Sequence, residues 1–262
     1  MQDTGASGKI PAASVLFPPG RRPAAQAVRA LGESLGAFTV SHDPGDQCDT
    51  GTAETGRESS ADWLELLVTG LTFDLAGLAP GPAHPFPQVA HRIGPAGELS
   101  EARLEAITLR PGPHLMGGGT MLPVVQSLAA LAAALTELPD SAAVIWHPAR
   151  CLSHAKPFRS GVKRWCAGGA FPGLGLVAVA VEPDGALLSE GLNLFVGQEL
   201  RIEPELTADR NAAVRLALRL LHRLVEGGRL QAAERVIVGP DETALRLEPS
   251  ANRRFVRVWK AG

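Results

Sequence analysis

The chain has 262 residues and carries 25 lysine and arginine side chains against 27 aspartates and glutamates, a formal net charge of −2. Apolar residues make up 45% and charged residues 20%, which is ordinary globular usage and excludes a disordered chain. The near-neutral balance argues against a dedicated nucleic-acid binder, whose domain would be strongly basic.

The sequence carries no sign of secretion or membrane insertion. Cys48, Cys151 and Cys166 are an odd and sparse set, so no disulfide framework is expected. Residues 1–20 lack the apolar run of a signal peptide, and the most apolar window, 121–138, is interrupted by polar residues. We therefore expect a soluble, cytoplasmic protein with no membrane partner. The preference for arginine over lysine, with abundant alanine, glycine and proline, indicates a GC-rich bacterial genome.

The first half of the chain predicts a βαβββ lobe over residues 1–98. It comprises a strand at 14–17, a helix at 24–35, a strand at 37–40 and a hairpin of 64–68 with 71–78. An acidic insertion, 42–61, interrupts the lobe and is long enough to be a functional loop or a linker. Its Asp43, Asp46, Asp49 and Glu54 lack the spacing of a calcium loop, which favours a solvated segment. The proline-rich stretch at 80–100 predicts a domain boundary.

The second half predicts a lobe over residues 99–262. Strands are expected at 104–109, 142–146, 174–181, 187–196, 236–238, 244–247 and 255–259, with helices at 120–138, 153–167 and 208–226. The run at 174–181 is almost continuously apolar, which is typical of a central strand buried on both faces. Without insertions, 104–238 reads βαββαβ, the ferredoxin-like order. The fold prediction is therefore α+β: two lobes with ferredoxin-like βαββαβ elements, and antiparallel or mixed sheets covered by helices.

Part of the second half resembles a bacterial family of unknown function, DUF4261. The resemblance is carried by the strand at 142–146, the segment Lys156-Pro-Phe158 and above all the run from Glu190 to Glu199. That run is similar to the family pattern Thr-x-Gly-Leu-x-x-Phe-Gly-x-x-Glu, although Glu190 stands just before Gly191 and Val196 is inserted before Gly197. The resemblance implies a ferredoxin-like α+β fold and implies no activity.

A glycine-rich turn is the first candidate site. Gly117, Gly118, Gly119 and Thr120 lie between a predicted strand and the start of a predicted helix that Thr120 would cap. Backbone N–H groups and the helix dipole can bind an anion in such a place, with His114 nearby. The turn has neither the Lys-Ser/Thr of a P-loop nor G-x-G-x-x-G spacing, so a simple strand-to-helix turn is the competing interpretation. No cofactor is predicted.

Four soft ligands fall within twenty residues and form the second candidate. His147, Cys151, His154 and Cys166 have a spacing that can close a tetrahedral zinc site or hold a Cys/His nucleophile pair. Paired C-x2-C knuckles are absent, and buried free cysteines commonly act as small apolar residues. No metal is therefore predicted.

The strongest candidate is a basic window without any acidic residue between His147 and Gly169. Its members are Arg150, Lys156, Arg159, Lys163 and Arg164. They predict an electropositive face for phosphates, nucleic acid or an acidic partner. The competing interpretation is a set of solvated side chains whose alkyl stems cover apolar surface.

Two hypotheses about function follow. The favoured one is a non-enzymatic module that binds an anionic ligand or a protein partner through the basic window or a sheet. The alternative is a small-molecule hydrolase or transferase that holds an anionic substrate at Gly117–Thr120, with His114 or His147 as general base.

Overall fold

The computed structural model describes residues 11–45, 63–94, 101–115, 117–238 and 243–261. These residues form an α+β fold with two mixed sheets, which confirms the predicted class. Most of the predicted insertion 42–61, with Asp46, Asp49 and Glu54, lies outside the described residues, as does Cys48.

The larger sheet has eight strands within the described residues. They are β1 (Ala13–Phe17), β2 (Thr39–His42), β3 (Trp63–Val68), β4 (Leu71–Ala76), β5 (His91–Ile93), β6 (Glu105–Pro111), β7 (Ala143–Trp146) and β8 (Cys151–His154). Their order across the sheet is β2-β3-β4-β6-β1-β7-β8-β5, and only the β5–β8 pair is parallel.

This sheet crosses the boundary predicted at 98/99. The central strand β1 pairs with β6 on one side and β7 on the other, and both partners come from the predicted second lobe. The sheet therefore does not divide at 98/99. The chain enters the second, smaller sheet only after β8.

The smaller sheet contains only later strands. They are β9 (Ala178–Val181), β10 (Leu187–Glu190), β11 (Glu199–Ile202), β12 (Glu234–Val238), β13 (Thr243–Pro249) and β14 (Phe255–Lys260). Their order is β12-β13-β14-β11-β10-β9, with β11 and β14 parallel. The strands expected to form one βαββαβ unit over 104–238 are thus shared between two sheets and do not make a single ferredoxin-like sheet.

Two strand predictions are corrected. The strand expected at 187–196 ends at Glu190, because residues 193–196 form a short helical turn. The apolar run 174–181 is not a central strand, because residues 173–176 form an irregular helical turn in which Gly175 has φ +106°. The remaining strand, β9, lies at the edge of the sheet and is only partly buried.

Helices cover one face of each sheet. They are α1 (Ala25–Leu35), α2 (Leu122–Leu135), α3 (Ala155–Cys166), the short turns α4 (Gly173–Leu176) and α5 (Asn193–Val196), and α6 (Arg210–Gly227). Helices α2 and α3 pack on each other and on the larger sheet, whereas α6 packs on β11. Asp209 caps α6, since its carboxylate accepts hydrogen bonds from the backbone of Asn211 and Ala212.

A single buried apolar cluster runs through both sheets and the helices between them, from Val15 in β1 to Val256 in β14. A second, smaller cluster lies on the opposite face of the larger sheet, where Leu16 and Ile145 meet Phe86 and Val89 of the proline-rich segment. The proline-rich segment that was expected to be a linker therefore packs on this face of the larger sheet. None of the described helices is long and apolar enough to cross a membrane.

Candidate functional site

The predicted basic window does not form one surface. Arg150 lies in the turn between β7 and β8, whereas the other four members belong to α3. Its guanidinium group donates hydrogen bonds of 2.6 and 3.0 Å to the Glu190 carboxylate, which also lies 2.7 Å from His91 Nε2. Arg150 is therefore neutralised by an acidic residue forty positions away in the chain.

The other basic residues divide between the two ends of α3. Lys163, near the carboxyl end, pairs with Glu137 at 2.6 Å, and this contact lowers the pKa of the Glu137 carboxyl group. Arg164 is exposed beside it. Lys156 and Arg159 instead lie near the amino end of α3, where a cleft opens.

We call this opening the basic cleft. It has a volume of about 360 Å³ and lies where the end of α2 approaches the start of α3. Its walls are formed by Thr136, Leu138, Asp140, Ser141, Ala142, His154, Ala155, Lys156 and Arg159. The walls are about equally polar and apolar, and they carry the cationic side chains of Lys156 and Arg159 and the carboxylate of Asp140.

The start of α3 adds a further positive field to the basic cleft. His154 occupies the N-cap position but makes no side-chain capping bond, and no acidic residue lies in the first turn. The amino end of the helix dipole therefore faces the cleft without a negative side chain from its own helix. Arg159 is fixed in place because its Nη1 donates a 3.1 Å hydrogen bond to the carbonyl of Thr136, near the end of α2. Lys156 has no partner among the described residues.

Comparisons with known proteins give no family assignment. No family model matches the chain, and neither curated proteins nor solved structures show a significant match. The resemblance to DUF4261 therefore remains a prediction from sequence, and the function must be argued from geometry.

Two larger openings compete with the basic cleft and are less suited to an anion. The one of about 710 Å³ lies at the end of α6, where Arg223 and Arg229 are balanced by Glu226 and Glu234. The one of about 530 Å³ lies between α1 and the β2–β3 edge, where Arg29 already contacts Asp43 at 2.7 Å. Neither carries the uncompensated positive charge of the basic cleft.

The glycine-rich turn differs from its prediction. Helix α2 begins at Leu122 with Met121 as N-cap, so Thr120 does not cap it. The N–H of Gly118 donates to the carbonyl of Leu115, and the carbonyl of Gly118 accepts from the N–H of Met121. Hydrogen bonds within the turn therefore satisfy part of its own backbone polar groups. His114 and Thr120 are exposed, and neither lines any of the three openings described above.

His147 lies in a buried hydrogen-bonded chain instead of an open site. Its Nε2 is 2.8 Å from the Ser14 hydroxyl, which is 2.7 Å from the Thr108 hydroxyl. Burial and the neighbouring His84 lower the pKa of His147 to about 4, so the ring is neutral at pH 7. A serine–histidine contact is the arrangement that activates a nucleophile. Ser14 is fully buried, however, so no substrate reaches it in this conformation.

The four soft ligands are not assembled into a metal site. Cys151 is buried in β8, and burial raises the pKa of its thiol to about 11, whereas Cys166 is exposed at the end of α3. In the described part of the chain, no three His, Cys, Asp or Glu side chains are placed to hold a metal ion.

The run from Glu190 to Glu199 has structural roles that the sequence did not assign. Glu199 is largely buried and accepts hydrogen bonds from the backbone of Gly191, Leu192 and Asn193 and from the Ser189 hydroxyl. Burial raises the pKa of Glu199, although these hydrogen bonds oppose the shift. Gln198 is fully buried and bonds both the N–H and the carbonyl of Leu230. The polar residues of this motif therefore stabilise the loop in which the motif itself lies.

Proposed function

We propose that this chain is a binding protein for a small anionic ligand bearing a phosphate or carboxylate group, with the basic cleft as its site. The observation that carries the proposal is the meeting of Lys156, Arg159 and the amino end of α3, which has no side-chain cap, around one opening of about 360 Å³. An opening of this size suits a small metabolite and is at the lower end of ligand pockets.

The chemistry of the cleft supports binding without catalysis. Lys156 offers an ammonium group with three N–H donors, and Arg159 keeps guanidinium N–H groups beyond the one that bonds Thr136. Within the described residues, neither side chain forms an ion pair or a hydrogen bond with His154 or Asp140, which share the cleft. The one carboxylate of the wall, Asp140, would disfavour ligands that present negative charge to its side. An anion held by Lys156 and the start of α3 is therefore favoured.

The experiment is a calorimetric titration of the full chain with inorganic phosphate, with a sugar phosphate and with citrate at low salt. Hydrogen bonds to charged groups contribute roughly 1.5–3 kcal/mol, so Lys156→Ala is expected to weaken binding at least about tenfold. Arg159→Lys keeps the charge and removes the planar donor group, so a smaller loss is expected.

Arg164→Ala is the matched control, because it removes an exposed cation from the same helix outside the cleft. Equal weakening by Lys156→Ala and Arg164→Ala would mean that general electrostatics accounts for the binding. No heat and no rise in Tm with any of the three anions would overturn the proposal, because a ligand that binds only the folded state raises Tm.

A further inference from the structure

The outer face of the smaller sheet carries an unusual concentration of arginine. Alternate residues of a strand point to opposite faces. In β12, β13 and β14, Val236, Leu245, Leu247, Val256 and Val258 are buried in the core. The residues between them point away from the core, and four of them define what we call the arginine–tryptophan face: Arg235, Arg246, Arg257 and Trp259.

The strand register places these side chains side by side. Arg235 is directly opposite Arg246 across β12 and β13, and Arg246 is directly opposite Trp259 across β13 and β14. Arg257 lies on the same strand as Trp259, and its guanidinium carbon is 4.7 Å from the centre of the indole ring. Arg235, Arg246 and Trp259 therefore lie in a row across three strands. The guanidinium group of Arg257 stacks on the indole ring of Trp259.

The acidic residues nearby leave part of this charge uncompensated. Arg257 contacts Glu203 at 2.6 Å, and Arg246 contacts Glu248 at 2.9 Å in an exposed pair. Arg235 is exposed and has no acidic partner within the described residues. Arg235 therefore lies opposite an arginine that is paired with Glu248, and like charges directly opposite each other on neighbouring strands are unfavourable.

We infer that the arginine–tryptophan face binds single-stranded nucleic acid. Phosphate groups would bridge Arg235 and Arg246, and a base would stack on the Trp259 ring beside Arg257. Proteins that bind single strands combine a positive surface that follows the backbone with aromatic side chains on which bases stack, and this face supplies both.

The aromatic ring favours nucleic acid over an acidic protein. A carboxylate-rich peptide would use the arginines but would leave the half-buried indole of Trp259 without a specific role. The near-neutral net charge of the whole chain argues against a nucleic-acid ligand. That net charge, however, includes acidic residues that are remote from this sheet. Since the face shares no residue with the basic cleft, the inference stands apart from the proposed function.

The test is the fluorescence anisotropy of a fluorescein-labelled oligothymidylate of about 12 nucleotides, titrated with the full chain at two salt concentrations. Arg235→Ala and Arg246→Ala are each expected to weaken binding about tenfold and to reduce the salt slope by about one. Trp259→Leu is expected to weaken binding about tenfold as well, with partial recovery in Trp259→Phe.

Arg219→Ala is the matched control, since it removes an exposed arginine of α6, on the covered side of the sheet. It is expected to bind like the unmodified chain. Absence of binding at low salt, or an equal loss in Arg219→Ala and Arg235→Ala, would overturn the inference. Competition by polyglutamate as strong as by unlabelled oligothymidylate, with Trp259→Leu unimpaired, would reject it in favour of an acidic protein.

Discussion

Arg150 and Glu190 join the two sheets of this protein through two hydrogen bonds between a guanidinium group and a carboxylate. Arg150 lies at the turn before β8 in the larger sheet, and Glu190 ends β10 in the smaller one. His91 of β5 contacts the same carboxylate at 2.7 Å. Burial opposes ionisation of Glu190, but the hydrogen bonds from Arg150 and His91 outweigh it and lower its pKa.

Glu190→Gln is expected to destabilise the protein, because it weakens both contacts of this bridge. The carboxylate is partly exposed, so solvent screening limits the loss of unfolding free energy to about 1 kcal/mol. Urea unfolding measures it. Glu137→Gln is the matched control, since the one direct ion pair of its carboxylate among the described residues is with the exposed Lys163. A loss in Glu190→Gln no larger than in Glu137→Gln would contradict a bridging role.

Gly191, next to that bridge, is expected to tolerate no side chain. Its φ is +97°, and a Cβ atom there would lie 2.9–3.1 Å from atoms of Ala149. Gly191→Ala should therefore lower the free energy of unfolding by about 1–3 kcal/mol from backbone conformation alone, with a further loss from the clash. Chemical denaturation gives the value.

Gly117→Ala provides the comparison for Gly191→Ala, because a Cβ atom at Gly117 meets nothing within 4 Å. Its stability should be unchanged within about 0.5 kcal/mol, as is usual for surface substitutions. A destabilised Gly117→Ala would show that the glycine-rich turn is more constrained than its geometry indicates.

Glu199→Ala is expected to unfold the loop that follows β10. Three backbone N–H groups and one hydroxyl group lose their acceptor, and each buried donor left unsatisfied costs about 1–3 kcal/mol, less where water enters. The midpoint of urea unfolding should fall strongly, and amide hydrogen exchange at residues 191–193 should accelerate. Unchanged exchange at these amides would contradict the proposed role.

Local signals in the sequence predicted most of the elements but few of the contacts. The helix expected at 208–226 agrees with α6 within two residues, because apolar residues repeat along one of its faces and Gly227-Gly228 marks its end. The short strand β8 was missed, because four residues between a turn and a helix carry too little periodicity. The eight-stranded sheet was missed because pairing of β1 with β6 and β7 depends on residues about ninety or more positions apart.

For the candidate site, too, the sequence indicates the residues but not their tertiary contacts. The acid-free window from His147 to Gly169 was read as one basic face, although Glu190 and Glu137 approach it from elsewhere in the chain. Lys156 and Arg159 lie beside an opening formed by two helices, whereas Arg164 is exposed near the other end of α3. That distinction depends on tertiary packing and has no signal in the window itself.

The stability of the protein is expected to depend on His147 at mildly acidic pH. The pKa of its ring is about 4 in the folded state and about 6.5 in an unfolded chain. As the pH falls from 6.5 to 4, the unfolded state binds a proton that the folded state excludes, so the free energy of unfolding decreases. Since one pKa unit corresponds to about 1.4 kcal/mol, the loss over this window is about 3 kcal/mol.

His147→Gln isolates this effect, because glutamine offers polar atoms to Ser14 but does not titrate. The difference in unfolding free energy between the unmodified protein and His147→Gln should shift by about 3 kcal/mol between pH 6.5 and pH 4, while carboxyl groups titrate alike in both. Parallel pH profiles for the unmodified protein and His147→Gln would mean that the ring accepts a proton in the folded state. Its Nε2–H would then donate to the Ser14 oxygen, and the Ser14 hydroxyl would donate to Thr108.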